Sequence, residues 1–321
     1  MDSPILFYLW THHWLDGNGD LVPNIPELET VRFSDLLDQA DRVFVESTGP
    51  IDKLCEIQDA FNAVLAGGQP SPVLDLVGPH VRPILDLLER RLKGTSKQVV
   101  LEKTDSPPID YLSENRDVLK SFARYPLDQS MGRLSAYLDK IVPYLYARDD
   151  DVSRQVISTE GTVLVLFGRC HANLVEVTMA NTSRPVEVSY SKDPRVGFES
   201  RIYRDYKRYG IVNCQAALRW IMEALALDVL ADNSLEAMNR FSGCAYELAS
   251  GLRLREVHDF VRSCDIDFCH TYRGRLFEDF LENNRLPSLE KIKGLADPTV
   301  AIHDFFAERK SRYRPFHPNR S

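Results

Sequence analysis

The chain has 321 residues, 44% of them hydrophobic and 27% charged, which is material for one large domain or two smaller ones around a real core. A net charge of -8 and a pI near 5.6 argue against a broad nucleic-acid surface, so no nucleic-acid partner is expected. The opening M-D-S-P-I-L-F-Y-L-W-T-H-H has no basic region and too short an apolar run for a signal peptide, and no stretch approaches the roughly 18 apolar residues of a membrane span.

In chain order, Ile5–Leu9 is an apolar run that reads as a buried strand delivering His12 and His13 to a loop. Asp16-Gly17-Asn18-Gly19-Asp20 tempts a calcium reading. A calcium loop starting at Asp16 would put Leu21 where glycine is needed and no helix pattern precedes it, so a turn is expected. Phe33–Asp41 has helical spacing and leads into Arg42–Ser47, a short strand that delivers Glu46. Pro50–Leu65 and Pro72–Leu92 read as helices, the second broken near Gly78-Pro79, and Lys97–Leu101 reads as a fourth strand. Tyr111–Arg154 is helical again. Its Arg148-Asp149-Asp150-Asp151 reads as a charged surface turn capping a helix that starts near Asp151.

Thr162–Phe167 is apolar from Val163 without a break, then comes Gly168 and, three positions on, His171. That run fits a strand buried on both faces of a parallel sheet, with His171 at the carboxyl edge where open sheets bind ligands. Pro185–Tyr190 alternates as an edge strand does, with proline at its first position. From Phe198 to Arg312 the spacing is helical, including Ala216–Leu230, Leu235–Leu248, Leu254–Val261 and Val300–Phe306. The expected fold is α/β: a mostly parallel central sheet flanked by helices, followed by a helical C-terminal region. The expected divisions are a sheet domain over 1–195, a helical subdomain over 196–309 and a basic tail over 310–321. The helical region is the expected surface for a protein partner or a second copy.

The six cysteines are scattered, as in a cytoplasmic chain with reduced thiols. Cys264, Cys269 and His270 lack the second pair that a zinc site needs. Cys170 beside His171 is not spaced as a nucleophile and base, and His80, His258, His270 and His303 have no partners at ligand spacing.

Three strands thus end in groups suited to chemistry: His13 (or His12), Glu46 and His171. Two histidines and a glutamate make a ligand set for a divalent metal, which would lower the pKa of a bound water. Without metal, Glu46 would act as general base beside a histidine.

The order of these motifs resembles the superfamily of TraB and Tiki proteins, ChaN-like haem-binding lipoproteins and erythromycin esterases. That superfamily has two strand-end G-x-x-H motifs, a strand-end glutamate between them, and an arginine-acid pair before the second. Gly168-Arg169-Cys170-His171 matches the second motif. Trp10-Thr11-His12-His13 resembles the first, with tryptophan in the glycine position. Glu46 resembles the glutamate, and Arg148-Asp149 the pair on the preceding helix. The resemblance covers roughly residues 5 to 190. It implies a hydrolase cleaving an ester or amide of a small-molecule or peptide substrate, with His13, Glu46, His171 and Arg148 in the site, Arg148 holding a substrate carboxylate or phosphate or orienting Glu46. The alternative is a non-catalytic binding or regulatory protein that keeps the fold.

Overall fold

The computed structural model describes residues 3–10, 13–15, 21–23, 25–47, 50–78, 81–104, 111–168, 171–191, 197–231, 235–264 and 270–312. The strands are β1 (Ile5–Trp10), β2 (His13–Leu15), β3 (Leu21–Pro23), β4 (Arg42–Val45), β5 (Gln98–Leu101), β6 (Val163–Gly168) and β7 (Val186–Tyr190). The helices are α1 (Val31–Gln39), α2 (Ile51–Leu65), α3 (Arg82–Leu92), α4 (Tyr111–Arg124), α5 (Leu127–Ser158), α6 (Ala172–Asn181), α7 (Phe198–Tyr209), α8 (Cys214–Ala231), α9 (Leu235–Gly251), α10 (Leu254–Ser263), α11 (His270–Asn283), α12 (Leu289–Gly294) and α13 (Pro298–Arg312). The chain forms two compact units, one of residues 1–111 and 138–196, the other of 112–137 and 197–321.

The first unit is built on a five-stranded parallel sheet in the order β5-β4-β6-β1-β7, and β2 pairs with β3 as a separate antiparallel hairpin. The α/β class and helical C-terminal region expected from the sequence are what the structure has. Every residue of β1 and β6 is buried, because both strands lie inside the sheet and both faces are covered. Alternation divides their side chains between two cores. Leu6, Tyr8, Trp10, Val43, Val45, Leu164 and Leu166 pack with apolar residues of α1, α2 and α3. Ile5, Phe7, Leu9, Phe44, Val163, Val165 and Phe167 pack with Val152 and Val156 of α5 and Leu174 and Val175 of α6.

This wiring creates a switch point. After β4 the chain leaves for α2 on one face, and after β6 it leaves for α6 on the other. The carboxyl ends of these neighbouring strands therefore flank a crevice, the position at which open α/β sheets hold ligands.

Edge strand β5 keeps its outward backbone groups off water through α2. Asn62 exchanges two hydrogen bonds with the Val99 backbone, at 2.9 and 2.8 Å, and the Gln58 side chain accepts from the Leu101 N–H at 3.0 Å. Side-chain amides thus stand in for a missing sixth strand. At the opposite edge of the sheet Arg184 donates to backbone carbonyls of Ser3, Ile157 and Thr159, tying the C-terminus of α5 to the start of β1.

One sequence expectation changes. Arg148–Asp151 does not cap a new helix: α5 runs unbroken from Leu127 to Ser158 through all four residues. The acidic run leaves the helix intact because Arg148 and Asp149 are buried with partners while Asp150 is exposed to water. The break expected near Gly78 is present, as a short 3-10 helix over Pro72–Leu76 ahead of α3. Asp16–Asp20, His12, His80, Cys170, Cys269 and residues 313–321 lie outside the described residues, and so does the side chain of His270.

Among the described residues no helix is long and apolar enough to cross a membrane. The second unit is helical among its described residues. In it, Asn115 of α4 and Tyr203 of α7 both donate to the Glu199 carboxylate, at 3.1 and 2.7 Å, and the Tyr203 and Tyr137 hydroxyls are 3.3 Å apart. These bonds knit 112–137 to the later helices. Glu223 of α8 accepts from the Phe198 N–H at 3.1 Å and so caps α7.

Two predictions follow from this packing. Asn62→Ala strands the Val99 N–H and C=O together, so it should cost about 2 kcal/mol in urea unfolding with an unchanged slope. Burial pushes the Glu223 carboxyl up to about 7, the Phe198 hydrogen bond pulling the other way. The native state then holds a proton that the unfolded chain releases near pH 4.5, so this residue lowers stability as pH rises from about 4.5 to 7 and adds no slope above that. Glu223→Gln should match the parent at pH 5 and exceed it by about 2 kcal/mol at pH 8. Equal pH slopes in parent and variant would contradict the assignment.

Candidate active site

The register of the sheet sets the site. Val45 pairs with Leu101 in β5 and with Leu166 in β6. One step further, the ladder continues: the Glu46 N–H donates to Leu166 O at 3.2 Å and the Glu102 N–H to Val45 O at 3.0 Å. Glu46 and Glu102 are thereby neighbours at the carboxyl ends of adjacent strands. Two carboxylates side by side in a buried sheet repel, and a cation must separate them.

Arg148 is that cation. It lies on the stretch of α5 that covers the sheet, and its guanidinium carbon sits 6.0 Å from the centre of the Phe167 ring. Its Nε and Nη2 donate to the two oxygens of Glu102 at 2.6 and 2.7 Å, and Nη2 also donates to Glu46 Oε1 at 3.1 Å. Burial works against the charge on Arg148, but Glu102 and then Glu46 outweigh it and hold the guanidinium well above its usual range. Glu102 is fully buried and further held by Ser47 N–H and the Thr104 hydroxyl, at 3.1 and 2.6 Å.

Glu46 completes the link to the histidine. Its Oε2 accepts from the Gly168 N–H at 3.0 Å, and Oε1 lies 3.2 Å from His171 Nε2. On the other side of the ring, His171 Nδ1 lies 2.6 Å from Asp149 Oδ1, and Asn173 donates to Asp149 Oδ2 at 3.1 Å. The His171 ring stands edge-on to Phe167, 5.3 Å between centres. The imidazole thus has a carboxylate oxygen within hydrogen-bonding distance of each nitrogen, Asp149 at Nδ1 and Glu46 at Nε2. Tyr144, one turn before Arg148 on α5, is half-buried beside this network. Burial pushes its phenol up, while Arg148 pulls it down and Glu102 pushes it up again.

Of the residues singled out from sequence, Glu46, Arg148, Asp149 and His171 come together. His13 lies in β2, paired with Pro23, and its side chain is outside the described residues. Trp10 aligns with Gly168 but packs fully buried in the core shared with α1, α2 and α3, the face opposite Phe167 and His171. It does not occupy the space between Glu46 and His171. His303 pairs with Glu247 at 3.1 Å and His258 with Asp259 at 3.6 Å, so both have acidic partners of their own.

Sequence reasoning missed Glu102. Its signal was present, because V-V-L-E at the end of β5 repeats the V-F-V-E of β4, with the acid one step past each strand.

Glu46 Oε1 and His171 Nε2 are spaced as two ligands of one ion would be, with Asp149 behind Nδ1 in the supporting position. Among the described residues no group of three such donors converges.

Compared with known proteins, the chain matches no family model, and neither a curated protein nor a solved structure matches it. The fold and site themselves define the class: an α/β protein whose parallel sheet carries a buried Glu-Arg-Glu-His-Asp network at its switch point.

A stability test follows from the charge count. Arg148→Met leaves Glu102 uncompensated and should cost about 3–5 kcal/mol in urea unfolding. Glu102→Leu combined with Arg148→Met removes both members of the closer pair and should recover a large part of that loss. Additive losses in the double variant would show that the two residues are not coupled.

Proposed function

We propose that the chain is a hydrolase of the TraB/Tiki and erythromycin-esterase-like superfamily, cleaving an ester or amide bond of a small-molecule or peptide substrate in the cytoplasm. The observation that carries this reading is the chain of contacts Asp149–His171–Glu46, at 2.6 and 3.2 Å, at the crevice between β4 and β6. Asp149 fixes the orientation of the ring, and Arg148 and the Gly168 N–H fix Glu46.

The reaction balances within this pair. A water oxygen bonds to the substrate carbonyl carbon while its proton passes to Glu46. His171 gives its Nε2 proton to the leaving oxygen or nitrogen as that bond breaks. Glu46 then returns a proton to His171 across the 3.2 Å contact, and the pair is ready for the next turnover. A divalent ion, where bound, would be held by Glu46 and His171, with His13 the further donor implied by the family resemblance, and would supply Lewis acidity to the carbonyl.

A second reading, a non-catalytic binding or regulatory protein, has its own observation. The network is closed on itself, with Glu46 and Arg148 each 8% exposed and His171 3%.

Turnover of p-nitrophenyl acetate and of a quenched peptide library separates the two. On the hydrolase reading, Glu46→Gln and His171→Ala each reduce kcat/KM at least about 100-fold, and Asp149→Asn about 10-fold or more. Parent protein inert on both substrate classes favours the binding reading. Metal content of the parent compared with His171→Ala decides the ligand question: equal content in both removes His171 as a ligand.

A further inference from the structure

The two carboxylates that share Arg148 do not share it equally. Glu102 takes Nε and Nη2 in a bidentate pair at 2.6 and 2.7 Å, and Glu46 takes one longer bond of 3.1 Å from the same Nη2. Glu102 is also held from its other side. The Thr104 hydroxyl donates to one oxygen, Ser47 N–H to the other, and Ser47 Oγ donates to the Glu102 backbone carbonyl at 2.9 Å. Glu46 Oε2 accepts from the Gly168 N–H, and Oε1 faces Arg148 and His171.

From this asymmetry we infer that Glu102 is a positioning residue: it anchors the guanidinium of Arg148 from behind, so that Glu46 receives one N–H and keeps its own contact with His171. Nothing in the geometry puts Glu102 on the reacting atoms. It acts through Arg148. Without the Glu102 charge, the planar fork of Arg148 has Glu46 as its remaining carboxylate partner in the network. A fork that closes on Glu46 with two bonds takes both of its oxygens and withdraws it from His171. The inference rests on Glu46 and His171 being the working pair, and it assigns to that pair a control that neither the motif residues nor their order contains.

The experiment uses the full chain and two readouts. The first is the arginine side-chain NMR spectrum, in which a buried, bidentate Nε–H gives a slowly exchanging, displaced resonance. Glu102→Gln keeps the shape and an acceptor for Ser47 N–H while removing the charge and the acceptor that faces Arg148 Nε–H. The Arg148 Nε–H resonance, identified by its absence in Arg148→Met, should lose its displacement and protection in Glu102→Gln and keep both in Glu46→Gln. The second readout is turnover of p-nitrophenyl acetate: Glu102→Gln should lower kcat about 10-fold to 100-fold with KM within about twofold.

The inference is overturned if Glu46→Gln disturbs the Nε–H resonance as much as Glu102→Gln does, or if Glu102→Gln lowers kcat while the resonance is native. Should Glu102→Gln fail to fold, Thr104→Val carries the same comparison with one hydrogen bond removed, a smaller displacement and a fall in kcat of about 2-fold to 5-fold; no change in either measure overturns the inference too. Parent protein without turnover would sink the hydrolase reading alone, because the comparison of resonances still decides what holds Arg148.

Discussion

The site end of the first unit depends on one unfavourable juxtaposition: two glutamates made neighbours by the register of a parallel sheet. β4 and β5 pair residue for residue from Arg42 with Gln98 to Val45 with Leu101, so Glu46 and Glu102 must follow side by side. Neither reaches much solvent, Glu102 none at all. Taking even one carboxylate out of water costs several kcal/mol, and two together cost more than twice that because they repel. Arg148 is what makes the arrangement tenable. Its bonds to Glu102 are as short as charge-assisted bonds become, and they are met at the far side by Ser47 and Thr104, so the lone pairs of the buried acid are used. A buried pair like this contributes little net stability over a well-packed apolar pair. What it contributes is a fixed geometry at the place where the strands end.

That geometry propagates. Arg148 and Asp149 are consecutive residues of α5, yet one faces the two strand-end acids and the other faces the histidine. A single helical turn therefore positions both sides of the Glu46–His171 contact, from the face of the sheet that also carries Phe167. The apolar residues one and two turns later, Val152 and Val156, bury that face of α5 against the sheet. Core packing and site geometry are in this way one set of constraints, and a shift of the helix along its axis would break the ion pairs before it exposed the core.

How much of this was legible in the sequence follows from what each residue's role depends on. The unbroken runs Ile5–Leu9 and Val163–Phe167 announce central strands because burial on both faces leaves no polar positions, and both strands are where the runs are. Glu46 and His171 were legible as strand-end groups, since parallel strands bring all their carboxyl ends to one edge. Arg148 and Asp149 were singled out only by the resemblance in motif order. By local rules, four charged residues in a row are a surface turn, and local rules do not see the partners that let two of them enter the core. Glu102 stands one residue past β5 as Glu46 stands one past β4, and it is the pairing of these two strands, which neither run shows by itself, that puts the acids side by side.

Trp10 shows the reverse limit. As a letter in a motif it stands where the family has glycine, and so suggests a filled site. Alternation in β1 decides otherwise, because Leu6, Tyr8 and Trp10 share one face while Ile5, Phe7 and Leu9 share the other. Phe167, against which His171 packs, belongs to the second set. A large residue at the strand end is then a core residue of the α1–α3 layer, and the space on the His171 side of the sheet is set by Arg148 and Phe167 instead. The face a side chain takes is a matter of parity along the strand, and parity is readable from sequence once the strand is placed. Motif position alone does not carry it.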